Sequence, residues 1–81
     1  MAVDMNEPVR VAAVFTRGEV CPVWFDRKGM QVRVRETAFS WTTREGSSTV
    51  LHFSVTDGHN LYELRFNTGT LSWQLTYSET P

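Results

Sequence analysis

The residues best suited to ligate a metal or act as a nucleophile are His52, His59 and the single cysteine, Cys21. Their spacing supports neither role. Structural and catalytic zinc sites draw on paired ligands a few residues apart, and no such pair occurs. Cys21 precedes Pro22 and has no basic cluster beside it to lower its thiol pKa, so it reads as a buried or half-buried structural thiol. His52 reads as a surface residue of a strand and His59 as a turn residue. Ser, His and Asp all occur, but no Gly-x-Ser-x-Gly elbow presents a nucleophile. The carboxylates of Asp26, Glu45 and Asp57 fall in turns and that of Glu63 on a polar strand face, so none pair for acid–base work. The glycines do not cluster into a phosphate loop. The expectation is a non-enzymatic domain with no catalytic residue, no cofactor and no metal.

Binding chemistry is better represented. Gln31, Arg33 and Arg35 alternate along one side of a strand, His52 and Ser54 along another, and Glu63 and Arg65 along a third. Were these strands adjacent, Arg33, Arg35, His52 and Arg65 would form one basic face able to follow a phosphate backbone, with Trp24, Phe25 and Trp41 available to stack bases. Cross-strand ion pairing, for example through Glu63, explains the same pattern without a ligand. A second candidate is apolar. Val23, Trp24 and Phe25 are consecutive, so both faces of their strand are apolar, and one is left for a partner strand or sheet. Protein interaction, with itself or a partner, is the primary expectation. Weak single-stranded nucleic-acid binding is the alternative.

The elements that must carry these residues are strands. Met30, Val32 and Val34 alternate with Gln31, Arg33 and Arg35; Leu51, Phe53 and Val55 with His52 and Ser54; Tyr62, Leu64 and Phe66 with Glu63 and Arg65; and Leu71, Trp73, Leu75 and Tyr77 with Ser72, Gln74 and Thr76. Period 2 is the signature of a half-buried strand. Val9 to Phe15 is nearly continuous apolar. Val20 to Asp26 contains Pro22, which places it at an edge or starts it after the proline. Short Gly-containing turns at 17–19, 26–29, 44–48, 57–60 and 67–69 permit only antiparallel neighbours. These features predict a six-stranded antiparallel meander curled into a small barrel-like roll. Its third strand runs on through Ala38 and Phe39 to Trp41, bends, and serves both halves. Trp41 and Trp73 are expected in the core. Residues 9–77 form the one domain, with flexible ends at 1–8 and 78–81.

Composition sets the class. The chain has 81 residues, 41% of them hydrophobic, which suits one small globular domain whose five Phe, three Trp and two Tyr can fill a core. Eight basic and nine acidic residues give a net charge of −1, so no long-range field draws it to nucleic acid or an anionic membrane. One cysteine excludes an internal disulfide, and the first eight residues lack the apolar core of a signal peptide. Both point to a cytoplasmic protein. No apolar run approaches the ~20 residues that span a bilayer.

The series Pro22-Val23-Trp24-Phe25, Gly29, Val32-Arg33-Val34, Trp41, Phe53-Ser54-Val55, Asp57-Gly58, Leu61-Tyr62-Glu63-Leu64 and Trp73-Gln74-Leu75 resembles a group of small bacterial all-β domains of unknown function. The resemblance covers residues 9–77. Some members of that group are short stand-alone proteins, and others are similar to tails appended to translesion-polymerase-like proteins. The resemblance implies a nucleic-acid or repair-partner role and supplies no catalytic residue.

Overall fold

A computed structural model describes residues 1–81. The chain forms eight strands: β1 (Ala2–Pro8), β2 (Val11–Thr16), β3 (Glu19–Arg27), β4 (Met30–Arg33), β5 (Glu36–Glu45), β6 (Ser48–Thr56), β7 (Leu61–Asn67) and β8 (Ser72–Glu79). They make two antiparallel sheets, a five-stranded one in the order β1-β8-β7-β6-β5 and a three-stranded one in the order β2-β3-β4. No helix is present, and so none is long and apolar enough to cross a membrane. The all-β antiparallel class is as expected. The strand number is eight, not six, and the sheets are not closed into a barrel.

The extra strands have physical causes. The long run from Met30 to Glu45 splits at Val34-Arg35. The Val34 amide donates to the Val23 carbonyl in the small sheet, and the next amide, that of Arg35, donates to Thr56 in the large one. One continuous segment thus serves both sheets, as two strands. A second corner lies at Val9-Arg10. There the Val9 amide donates to the Trp73 carbonyl and the Arg10 carbonyl accepts from Asp26.

Residues 2–8, expected to fray, form β1 and pair along β8 from Ala2 opposite Glu79 to Pro8 opposite Gln74. Asp4, Asn6, Glu7 and Pro8 hide this strand from a propensity reading. It forms because β8 offers a free edge and Met5 packs against the core. Pro8 ends it at a sheet edge, where no ladder donor is required. At the other terminus, β8 continues through Ser78, which is buried, to Glu79.

Alternation sorts the faces of the large sheet. Phe53 and Val55 on β6, Tyr62, Leu64 and Phe66 on β7 and Leu75 on β8 point inward and are buried. The small sheet closes over them with Phe25, fully buried and edge-to-face on Tyr62 at 5.2 Å between ring centroids. Trp73 joins this core, its ring 4.7 Å from Phe66 and 5.7 Å from Phe53. Each such side chain contributes about 1.5–3 kcal/mol by leaving water.

A bulge sets the faces of β3. Ala12 pairs with Trp24 and the next residue, Ala13, with Pro22, so Val23 is an extra residue without a partner. Val20, Pro22 and Phe25 therefore all turn inward, whereas Cys21 and Trp24 turn out. Pro22 is tolerated because β4 pairs only with Trp24–Arg27, which leaves the strand an edge at the proline. Two of the three two-residue turns have positive φ at both central residues, Arg17-Gly18 (49°, 79°) and Lys28-Gly29 (50°, 80°). This is the type I′ geometry that suits the twist of a two-residue hairpin, and Gly is at the second position in both.

Candidate interaction surface

The open edge of β5 is the main unpartnered feature of the fold. β5 pairs with β6 alone and ends the five-stranded sheet. A two-residue loop, Gly46-Ser47, joins the two strands, with Glu45 opposite Ser48, Thr43 opposite Val50, Trp41 opposite His52 and Phe39 opposite Ser54. Residues flanking a two-residue loop exchange backbone hydrogen bonds, and the ladder alternates from there. Phe39, Trp41, Thr43 and Glu45 therefore turn their amides and carbonyls toward β6. Ser40, Thr42 and Arg44 turn theirs to the free edge.

The side chains along this edge carry no charge from Thr37 to Thr43. Edge strands are usually protected by Lys, Pro or an inward charge. β5 has neither Lys nor Pro, and its one irregularity is a bulge at Ala38, between Thr37 and Phe39. The opposite edge is different. β1 also has a bulge, between Asp4 and Glu7, but it carries Asp4, Glu7 and Pro8 as well.

Phe39 and Trp41 lie on the outer face of the large sheet. Phe39 is 64% exposed. Its ring is 5.5 Å from that of Trp41, which in turn stacks on His52 at 5.1 Å with 5° between planes. Trp41 was expected in the core. The corner at Val34-Arg35 and the bulge at Ala38 each shift the alternation by one residue and cancel, so the inward positions are Ser40 and Thr42, opposite Phe53 and Leu51, and Trp41 falls outside. Partial burial, and then the charge of Arg65, hold the His52 pKa below the ordinary 6.5, which keeps the ring neutral at pH 7. Its Nε2 lies 2.6 Å from Thr43 Oγ1.

Arg65 completes this face. Its guanidinium donates to Glu45 Oε2 at 2.6 Å and to Gln74 Oε1 at 2.8 Å. Glu45 is on β5 and Arg65 on β7, so the ion pair crosses β6 above Val50, which lies between Ser48 and His52 in the register. That bridge accounts for a Val50 that is fully buried yet lies outside the core cluster.

On the inner side of β5, Ser40 and Thr42 border a groove of about 420 Å³ that separates β5 from Glu19–Cys21 of β3, with Leu51 and Phe53 at its floor. Here the two sheets diverge, and neither β5 nor the first half of β3 has a strand between them.

The residues singled out from sequence are dispersed. Phe25 is core, with no exposed surface, and so is not part of an interaction surface. Ordinary alternation turns Phe25 inward and Trp24 outward, and the β3 bulge at Val23 sets Pro22 on the same inner face as Phe25. Val23 is exposed at the bulge, and Trp24 is half-buried on the outer face of the small sheet between Ala12 and Arg33. Arg33 is on β4, and Arg35 is at the corner against Gly58. His52 and Arg65 are direct neighbours across β6 and β7. The single face expected from Arg33, Arg35, His52 and Arg65 does not form, because β4 belongs to the small sheet and is not adjacent to β6. Cys21 is exposed, not buried. His59 sits in the exposed turn where Asp57 Oδ1 accepts from the amides of His59 and Asn60. Partial burial pushes the Asp57 carboxyl up, but these hydrogen bonds outweigh it and hold the pKa below 3.8. No group of three or more His, Cys, Asp or Glu side chains lies close enough together to hold a metal ion.

Fold and surface together define a two-sheet antiparallel β domain with one open, uncharged edge strand. No family model matches the chain, and no curated protein or solved structure does.

Proposed function

We propose that this domain is a non-enzymatic protein-interaction module that docks an extended strand on the free edge of β5. The observation that carries the reading is the edge itself, uncharged from Thr37 to Thr43 and flanked on its outer face by the exposed Phe39. In strand addition the backbone groups supply affinity and alternate side chains supply selection. Ser40, Thr42 and Arg44 offer the backbone groups. Phe39 and Trp41 offer the apolar contacts, and the Trp41–His52 stack holds one ring in place before a partner arrives. The resemblance to tails on polymerase-like proteins fits a module that recruits a partner.

The test compares wild-type and Thr42→Pro proteins as baits in pull-downs from the native host. Proline at this position removes an edge amide and no bond within the fold. A partner held by wild type and lost with Thr42→Pro supports the reading. A partner retained equally by both baits refutes docking at this edge.

A further inference from the structure

We infer that the strand docked on β5 is β5 of a second copy, running antiparallel with Ser40 opposite Ser40 across a two-fold axis. This rests on the edge-docking reading above and names its partner. Ser40 turns its backbone groups to the free edge, so a Ser40–Ser40 pair at the axis is a hydrogen-bonded one. The pairs beside it are then non-hydrogen-bonded, and in these side chains approach most closely. They set Phe39 of each copy against Trp41 of the other. Both residues are on the outer face, so the two Phe39-Trp41-His52 rows merge into one aromatic surface.

Charge favours the same arrangement. Nothing charged is laid opposite itself between Thr37 and Thr43. Beyond that stretch, each end of the paired segment brings Glu36 of one copy, on the outer face, near Arg44 of the other, on the inner face, so that unlike and not like charges share each end. Neither residue has an ion-pair partner within the chain, whereas Glu45 is already engaged by Arg65. A parallel alignment would instead bring Glu36 to Glu36. A register two residues longer, centred on Thr42, would put Phe39 against Glu45 and lose the aromatic pairs. The assembly also closes. Two-fold pairing consumes both β5 edges and leaves outward the β1 edges, which carry Asp4, Glu7 and Pro8.

The experiment uses the full chain with Cys21→Ser, which removes the exposed thiol. Sedimentation velocity over a wide concentration range should show a monomer–dimer equilibrium. Ser40→Cys in that background should form an intermolecular disulfide under mild oxidation, since hydrogen-bonded antiparallel pairs place Cα atoms about 5.5 Å apart, within disulfide range. Thr42→Cys should not, because the two copies of residue 42 would be offset by roughly 13 Å along the strands. Phe39→Lys leaves every backbone bond intact and removes two symmetric aromatic pairs, so it should raise the dissociation constant roughly 10- to 100-fold. A strictly monomeric chain at all concentrations, or a disulfide that forms with Thr42→Cys and not with Ser40→Cys, overturns the inference. If the chain is monomeric but a host partner is lost with Thr42→Pro, self-pairing fails and edge docking stands. If that partner is also indifferent to Thr42→Pro, both fail.

Discussion

Proline substitutions at Thr42 and Thr43 should have very different costs, although the residues are adjacent and both exposed. The Thr43 amide faces β6 and donates to the carbonyl of Val50, a residue with no exposed surface. Thr43→Pro deletes that bond and leaves a buried carbonyl without its donor, which costs about 1–3 kcal/mol. The Thr42 amide faces the free edge, so Thr42→Pro deletes nothing within the fold. What remains is the restriction of φ, partly offset by the lower entropy of the unfolded chain, a net effect within about 1 kcal/mol. In a domain of this size 1 kcal/mol moves Tm by about 4–8 °C. Thermal unfolding at low micromolar concentration, where association contributes little, should therefore place Thr43→Pro at least several degrees below Thr42→Pro. Equal losses, or a larger loss at Thr42, would refute the assignment of which β5 backbone groups face outward.

Three further outcomes follow from the packing and the local electrostatics. Phe25→Ala should cost about 3–5 kcal/mol in chemical denaturation because it empties the centre of the core, whereas Trp24→Ala on the half-buried outer face should cost clearly less. The lowered His52 pKa means that the folded state binds the proton less readily than the unfolded chain. The stability this neutral ring supports is present above pH 6.5 and declines as pH falls from 6.5 toward the folded-state pKa. Thermal melts of His52→Gln across that range should show a shallower decline than wild type. Leu71, 73% exposed, is held at φ +57°, a left-handed conformation that is costly for a leucine. Leu71→Gly should relieve that strain and stabilise the domain by up to about 1 kcal/mol once the entropy of glycine is subtracted, read as a higher Tm.

Much of the large sheet was legible in the sequence, and the reason is its one-sided burial. Tyr62, Leu64 and Phe66 alternate with Glu63 and Arg65 because one face of β7 meets the core and the other does not. The hairpin turns were legible because positive φ at Gly18 and Gly29 demands a residue type visible in the sequence. The segment that serves both sheets was visible as a strand too long to remain straight. Other features left weaker marks. β1 is formed by pairing to β8, not by the propensities of Ala2–Pro8. The bulge at Val23 sets Pro22 and Phe25, three residues apart, on the same inner face, and an unbroken apolar triplet gives no sign of it. The outward placement of Phe39 and Trp41 did have a signal. The apolar positions are even-numbered at Met30, Val32 and Val34 and odd-numbered at Phe39 and Trp41. With Val32 and Val34 inward, alternation sets the odd-numbered Phe39 and Trp41 outward, and the corner and the bulge, one shift each, leave that parity unchanged.

The most direct test of the β5 edge is residue-resolved amide hydrogen exchange in dilute and concentrated protein. In dilute protein the Trp41 and Thr43 amides, bonded to β6, should be protected while those of Ser40 and Thr42 exchange freely. Raising the concentration should protect Ser40 and Thr42 and leave the β1 edge unchanged. Ser40 and Thr42 amides that are already protected at dilution, or that still exchange freely when the protein has associated, would contradict the account.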